Sequence, residues 1–114
     1  MIEDLKEKVL CKILVYQDIE VHFYTECGKH YKMHHVQDCC ENVYLNDIIG
    51  DLCDLIGSKI IMSEETVNDP SYDDYGESST WTFYKFATVH GYVTLRWIGT
   101  SNGHYSESVY FDEV

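Results

Sequence analysis

The chain has 114 residues, of which 45% are hydrophobic and 25% charged, and its net charge at neutral pH is −12. This length suits a single domain, 1–114, and the composition excludes a disordered tail. It also excludes a membrane protein, because no apolar run approaches the roughly 20 residues of a membrane-spanning helix. The acidic start, Ile2-Glu3-Asp4, lacks the apolar stretch of a signal peptide, so we expect a cytoplasmic protein.

The cysteines do not indicate a disulfide framework. An odd number of them in a chain without an export signal is typical of reduced thiols. We expect most of them to pack as small hydrophobic side chains. The five cysteines are Cys11, Cys27, Cys39, Cys40 and Cys53.

The first part of the chain predicts three strands. Residues 9–17 are apolar and rich in β-branched side chains, which favours a buried strand. Residues 19–26 alternate, with Val21 and Phe23 on the face that we expect to be buried. A turn at 27–29 contains a glycine, and residues 30–36 then return as the third strand of a hairpin.

A helix is predicted after these strands. Ile48, Leu52 and Ile56 recur at four-residue steps, and Gly57 fits the left-handed residue that follows a helix. The prediction is one main helix over about 47–56. A glycine in its interior, at position 50, would cost roughly 1 kcal/mol relative to alanine, which indicates a close backbone contact there.

The rest of the chain predicts more strands. They cover 58–66, 80–88, 92–98 and about 109–111, and a polar loop occupies 67–79. Only one connection is helical, so parallel βαβ units are not indicated. The predicted fold is therefore α+β, with a single antiparallel sheet of five to seven strands packed on the one main helix.

The negative charge is concentrated in the middle of the chain. Residues 33–84 contain eleven acidic residues and one basic residue, Lys59, so 11 − 1 leaves −10 there. Such a field repels nucleic acid and anionic membranes, and it attracts a basic protein surface. The alternative is that the charge only keeps the protein soluble. The predicted partner-binding face consists of Asp47, Asp51, Asp54, Asp69, Asp73 and Asp74.

A second candidate site is a pocket for a small nucleotide. The polar loop 99–106 offers backbone N–H groups that could hold a phosphate, although it lacks the lysine of a P-loop. Aromatic rings could hold the base and an arginine the phosphate. The alternative is a polar hairpin loop beside core tryptophans. The predicted lining is Trp81, Arg96, Trp97, Asn102 and Tyr105.

A third candidate is a structural zinc site. Cys27, His30, His35 and Cys39, or Cys40 in its place, are the ligand types that zinc prefers. Their spacing matches no closed zinc-finger pattern, and on a strand His35 would face away from His30. The alternative is that the thiols are buried and the histidines exposed, with no cofactor bound.

Four motifs resemble those of an uncharacterised family of small bacteriophage proteins. The resemblance covers about 10–111 and implies an accessory protein that works inside a bacterium, where such proteins often neutralise host defence. It implies no catalytic or ligand-binding residue, and in that family the last motif usually has an aromatic residue in place of His104. The motifs are Asp38-Cys39-Cys40-Glu41-x-Val43, Gly50-Asp51-Leu52-x-Asp54-Leu55-Ile56-Gly57, Trp81-Thr82-Phe83-Tyr84-Lys85 and Trp97-x-Gly99-x-Ser101-Asn102-Gly103-x-Tyr105-Ser106.

Because no motif indicates a reaction, we expect binding rather than catalysis. The leading hypothesis is a host-defence inhibitor that blocks a basic host protein of the defence or nucleic-acid-handling type, without binding DNA or RNA itself. The sequence leaves the oligomeric state open.

Overall fold

The computed structural model describes residues 2–114, which form nine β-strands and two short 3-10 helices. None of these helices is long and apolar enough to span a bilayer. The strands are β1 (Leu10–Tyr16), β2 (Glu20–Thr25), β3 (His30–His34), β4 (Asn42–Ile49), β5 (Met62–Val67), β6 (Ser71–Tyr72), β7 (Ser78–Thr88), β8 (Gly91–Ser101) and β9 (Tyr110–Glu113), and the helices are η1 (Ile2–Leu5) and η2 (Leu52–Leu55).

The strands form two antiparallel sheets. The first sheet has the order β1-β2-β3-β9, and the second has the order β4-β8-β7-β5, with β6 paired to the start of β7. The long strands β7 and β8 pair along their whole length, from Ser78 opposite Ser101 to Thr88 opposite Gly91. The strands predicted at 9–17, 19–26, 80–88 and 92–98 are confirmed.

The core lies between the two sheets, because alternating residues of strands such as β2, β3 and β8 point inward. Phe23 of the first sheet contacts Phe86 of the second, with 5.7 Å between the ring centroids. The indole N–H of Trp97, which is fully buried, lies 3.1 Å from the sulfur of Met33. These contacts join the inner faces into one hydrophobic core.

The predicted α+β fold is wrong, since residues 2–114 contain no α-helix and the single predicted sheet is two. Residues 47–49 belong to β4, where Ile48 and Ile49 are β-branched and favour an extended backbone. Only Leu52–Leu55 turns, as one 3-10 turn capped by Asp51. The apolar residues that recur every four positions therefore belong to a strand and to a turn, and not to one helix.

Gly50 marks the junction between that strand and that turn. Its φ is +107°, a conformation that side-chain-bearing residues rarely adopt. A Cβ at this position would lie 2.5 Å from the backbone oxygen of Tyr92. The close backbone contact that the sequence indicated is therefore present, in a different element.

The cysteines are less buried than expected. Cys11, Cys27 and Cys53 are free thiols, and all three are exposed rather than packed in the core. Cys39 and Cys40 are joined by a disulfide.

Candidate functional site

The residues of the predicted acidic face are spread along β7, and Asp47 lies beside its middle, because its partner Arg96 pairs with Phe83. At one end, the backbone oxygen of Asp54 accepts a hydrogen bond from the hydroxyl of Thr88. At the other end, β6 pairs with the start of β7 and carries the acidic residues 69–74. Because β7 has eleven residues, these ends are about 33 Å apart at roughly 3.3 Å per residue.

Asp51 and Asp47 have structural contacts. Asp51 accepts a hydrogen bond from the backbone N–H of Cys53 at 2.9 Å and so caps η2. Asp47 accepts one from the backbone N–H of Ile48 at 2.8 Å, and its other oxygen lies 3.5 Å from the guanidinium of Arg96. Of the six residues of the predicted face, Asp47 is therefore the one with a cation within 4.0 Å among residues 2–114.

The other end carries residues 68–77, which we call the acidic loop. Its Asp73 accepts hydrogen bonds from the backbone N–H groups of Tyr75 at 2.9 Å and Glu77 at 2.8 Å, which hold the turn in place. Tyr72 and Tyr75 are 68% and 95% exposed. Among residues 2–114, no lysine, arginine or histidine lies within 4.0 Å of a carboxylate of the loop: Asp69, Asp73, Asp74 and Glu77.

The predicted nucleotide pocket is not assembled. Trp97 points into the core, whereas Arg96 points to the outer face of the second sheet, 5.3 Å from the ring centroid of Trp81. Arg96 also donates to the side chain of Asn46 at 2.8 Å. The polar loop 99–106 borders other cavities, with Asn102 and Tyr105 in separate ones.

The predicted zinc ligands have separate partners. Cys27 lies 3.1 Å from the hydroxyl of Thr25, and His30 lies 2.7 Å from a ring nitrogen of His22. His35 pairs with Glu41. Cys39 is bonded to its neighbour. Within residues 2–114, no three side chains of the ligand types are grouped to hold a metal ion.

The candidate site is a cleft of about 490 Å³ beside the acidic loop. It brings together Asp69 and Tyr105, which the sequence assigned to two different sites. Cavities of this size hold small ligands or single side chains. The lining is Glu65, Val67, Asn68, Asp69, Pro70, Tyr72, Ser78, Thr80, Thr82, Gly103, Tyr105, Glu107, Ser108 and Val109.

Glu107 forms the floor of the cleft and is only 8% exposed. One carboxylate oxygen accepts from the hydroxyl of Thr80 at 2.8 Å, and the other accepts from Ser101 at 2.5 Å and from Ser78. No cationic side chain among residues 2–114 lies within 4.0 Å of it. Glu107 is therefore a buried carboxylate held by hydroxyl groups alone.

Sequence reasoning missed Glu107 and its hydroxyl partners. A signal was present in β7, where Ser78, Thr80 and Thr82 alternate and are buried on the face that continues with Tyr84 and Phe86. Buried hydroxyl groups on a face that should be apolar require polar partners. Nothing in the sequence identified Glu107, which lies in another segment, as that partner.

Gly99 of β8 makes room for Glu107. A Cβ on Gly99 would lie 2.7 Å from the Cβ of Glu107 and 2.8 Å from its backbone oxygen. Any side chain on Gly99 would therefore push the floor of the cleft away from the second sheet. The motif Trp97-x-Gly99-x-Ser101 has its three named residues on the inner face of β8, and two of them contact Glu107 or make room for it.

One wall of the cleft contains Glu65, beside the hydroxyl of Tyr84. Burial raises the pKa of Tyr84, and the neighbouring carboxylate of Glu65 raises it further. The tyrosine hydroxyl therefore stays protonated and lies 3.4 Å from the backbone oxygen of Val109. This wall adds a second carboxylate to the site.

The other buried carboxylate, Glu41, has a histidine partner. One ring nitrogen of His35 lies 3.0 Å from a carboxylate oxygen of Glu41, and the other lies 2.6 Å from the backbone oxygen of Ser108. Both ring nitrogens of His35 therefore face acceptors. Burial alone would raise the pKa of Glu41, but hydrogen bonds from the backbone N–H groups of Cys39, Glu41 and Asp38 and from His35 lower it to about 2.

Comparison with protein families identifies the chain. It matches the family described as domain of unknown function DUF7448 over residues 3–111 and belongs to that family. No curated protein matches the chain significantly. No solved structure does so either.

Proposed function

We propose that this DUF7448 protein acts without catalysis, by binding a basic protein through its acidic loop. The observation that carries the proposal is the set of four loop carboxylates without a cation within 4.0 Å among residues 2–114. Tyr72 and Tyr75 are exposed beside them. Uncompensated charge attracts a basic surface, and exposed tyrosines are enriched in protein interfaces.

The loop is attached to β7 by backbone hydrogen bonds without any partner. Ser71 and Tyr72 pair with β7, and the backbone of Asn68 donates to that of Trp81 at 3.0 Å. The backbone N–H of Asp73 donates to Glu77 at 2.8 Å. A preorganised loop loses little entropy on binding, which favours a docking surface.

A nucleotide ligand has less support. The cleft has three carboxylates and no lysine, arginine or histidine in its lining, so it repels phosphate. Arg96, the predicted phosphate ligand, is engaged on the outer face of the second sheet. A cationic partner fits both the loop and the cleft.

The proposal includes an origin in a bacteriophage and action in the cytoplasm of the bacterial host. The four motifs that resemble small phage proteins support this part. The partner is then a basic host protein that acts in defence or handles nucleic acid. Such a partner has a cationic surface that the acidic loop can cover.

The proposal is tested by affinity purification from host bacteria that express the tagged protein. In the test variant, Asp73→Asn, Asp74→Asn and Glu77→Gln remove three charges from the loop, and asparagine can still accept the turn hydrogen bonds of Asp73. We expect the wild-type protein to retain a basic host protein, identified by mass spectrometry, and the variant to lose it. Electrostatic docking also predicts loss at high salt.

The matched control removes the same number of charges from exposed positions outside the acidic loop. Glu3→Gln, Glu7→Gln and Glu26→Gln change exposed side chains and should leave the partner bound. Equal loss in both variants, retention in both, or a partner without net positive charge would contradict the proposal.

A further inference from the structure

We propose that the cleft is a socket for a lysine or arginine side chain, which the basic partner inserts when it docks on the acidic loop. This deepens the proposed function and rests on it. The loop and the cleft share residues, because Asp69 and Tyr72 belong to the loop and also line the cleft. A partner on the loop is therefore at the entrance of the socket.

The chemistry of the floor supports a cation. A buried carboxylate is costly unless a positive charge or strong hydrogen bonds compensate it. Glu41 has the ring of His35 at 3.0 Å and backbone N–H donors within the fold. Glu107 has only the hydroxyls of Ser78, Thr80 and Ser101. An inserted ammonium or guanidinium group would be the first cation within 4.0 Å of Glu107 among the described residues.

The walls suit a cation on an aliphatic stem. Tyr72 and Tyr105 provide aromatic rings, which attract ammonium and guanidinium groups. Glu65 and Asp69 add negative charge nearer the solvent. Val67, Pro70 and Val109 provide apolar surface of the kind along which the methylene groups of lysine and arginine pack.

The test is an NMR titration of the labelled protein with blocked amino acids, Nα-acetyl-lysine methylamide and Nα-acetyl-arginine methylamide. We expect the amide signals of Ser78, Thr80, Gly103, Tyr105 and Ser108 to move. The citrulline derivative, which is a neutral isostere of arginine, should bind at least about ten-fold more weakly, as expected for loss of a charged hydrogen bond. Equal binding of citrulline would overturn the proposal.

Substitutions test whether the arginine derivative binds at Glu107, the floor of the cleft. Glu107→Gln keeps the shape of the side chain and should weaken arginine binding by about ten-fold or more, whereas Glu113→Gln, an exposed carboxylate of β9, should leave it unchanged. If Glu107→Gln does not fold, the half-exposed Tyr105→Ala and the exposed Asp69→Asn are used instead. Unchanged binding in Glu107→Gln, or in both replacements, would overturn the proposal.

A spermidine titration separates the two sources of an organic cation. Spermidine that bound in the cleft about ten-fold more tightly than either amino acid derivative would assign the cleft to a free polyamine and overturn the side-chain proposal.

Failure of the cleft proposal can be distinguished from failure of the docking proposal. If the cleft binds neither amino acid derivative while the loop variant still loses its host partner, the cleft proposal is wrong and the docking proposal is supported. If the cleft binds these derivatives while no basic partner is found, the docking proposal is wrong and the cleft remains a cation site.

Discussion

At the scale of single residues, two buried glutamates differ in how their charge is balanced. Glu41 accepts from two backbone N–H groups, from Gln37 and from His35, so its charged form is stabilised within the fold. Glu107 accepts only from hydroxyls. The first arrangement supports folding, and the second leaves Glu107 without a cation within 4.0 Å among residues 2–114.

The lowered pKa of Glu41 predicts sensitivity to acid. A carboxyl whose pKa is lower in the folded state contributes stability above its ordinary value of 4.5, and that stability is lost as the pH falls toward about 2. We therefore expect the urea midpoint of the wild-type protein to fall across this range. The Glu41→Gln variant should be less stable at pH 7 and should show a smaller decrease on acidification.

The control for this experiment is Glu113→Gln, which removes an exposed carboxyl 3.7 Å from Lys29. It should keep the pH dependence of the wild-type protein, because exposed ion pairs contribute little. If Glu41→Gln showed the same pH dependence as the wild-type protein, the hydrogen bonds to Glu41 would not stabilise the fold.

Some of the site was within reach of the sequence and some was not. The acidic loop was predicted as part of a loop over 67–79, because aspartate and serine are frequent there and the only proline, Pro70, lies in it, and Asp69 and Tyr105 were among the candidate residues. Glu107 was not, because its partners Ser78 and Thr80 are 29 and 27 residues away and meet it only through packing against β8. A single acid between two serines has no periodic signal.

At the scale of elements, the strands were predictable, whereas the predicted helix is absent from residues 2–114. Alternation in β2 and β8 reflects one buried face, and β7 is rich in aromatic residues and threonine, so the sequence indicated those strands correctly. The segment 47–56 misled because apolar residues of β4 and η2 happen to recur every four residues. The strand propensity of Ile48 and Ile49 and the conformation of Gly50 oppose a helix there.

Gly50→Ala distinguishes the predicted helix from the observed junction, because its effect on the free energy of unfolding has opposite signs in the two. In a helix interior, alanine would stabilise the protein by about 1 kcal/mol. In the observed junction, a Cβ would lie 2.5 Å from the backbone oxygen of Tyr92, and φ is +107°, so we expect destabilisation of about 1–3 kcal/mol. Urea denaturation gives the difference in the free energy of unfolding, and a more stable variant would contradict this structure.

At the scale of the whole molecule, the two sheets set the distribution of charge. The molecule is elongated, with principal extents of 46 × 25 × 22 Å, and the acidic loop lies at the end of β7 opposite to Asp54. The composition gave the net negative charge, and the positions of the acidic residues along the chain showed that most of this charge lies in residues 33–84. The separation into two ends depends on which strands pair, which the sequence did not reveal. The end with the acidic loop combines carboxylates without a cation within 4.0 Å, exposed tyrosines and a cleft.

The most direct test of the central claim is photo-crosslinking in host cells with a benzophenone amino acid at one of two positions. Tyr75 lies in the acidic loop and is 95% exposed, and Tyr92 lies at the opposite end of the second sheet and is 74% exposed. Binding through the acidic loop predicts a crosslink to a basic host protein from position 75 and none from position 92. A crosslink from position 92 alone, equal crosslinks from both, or none from position 75 would contradict it.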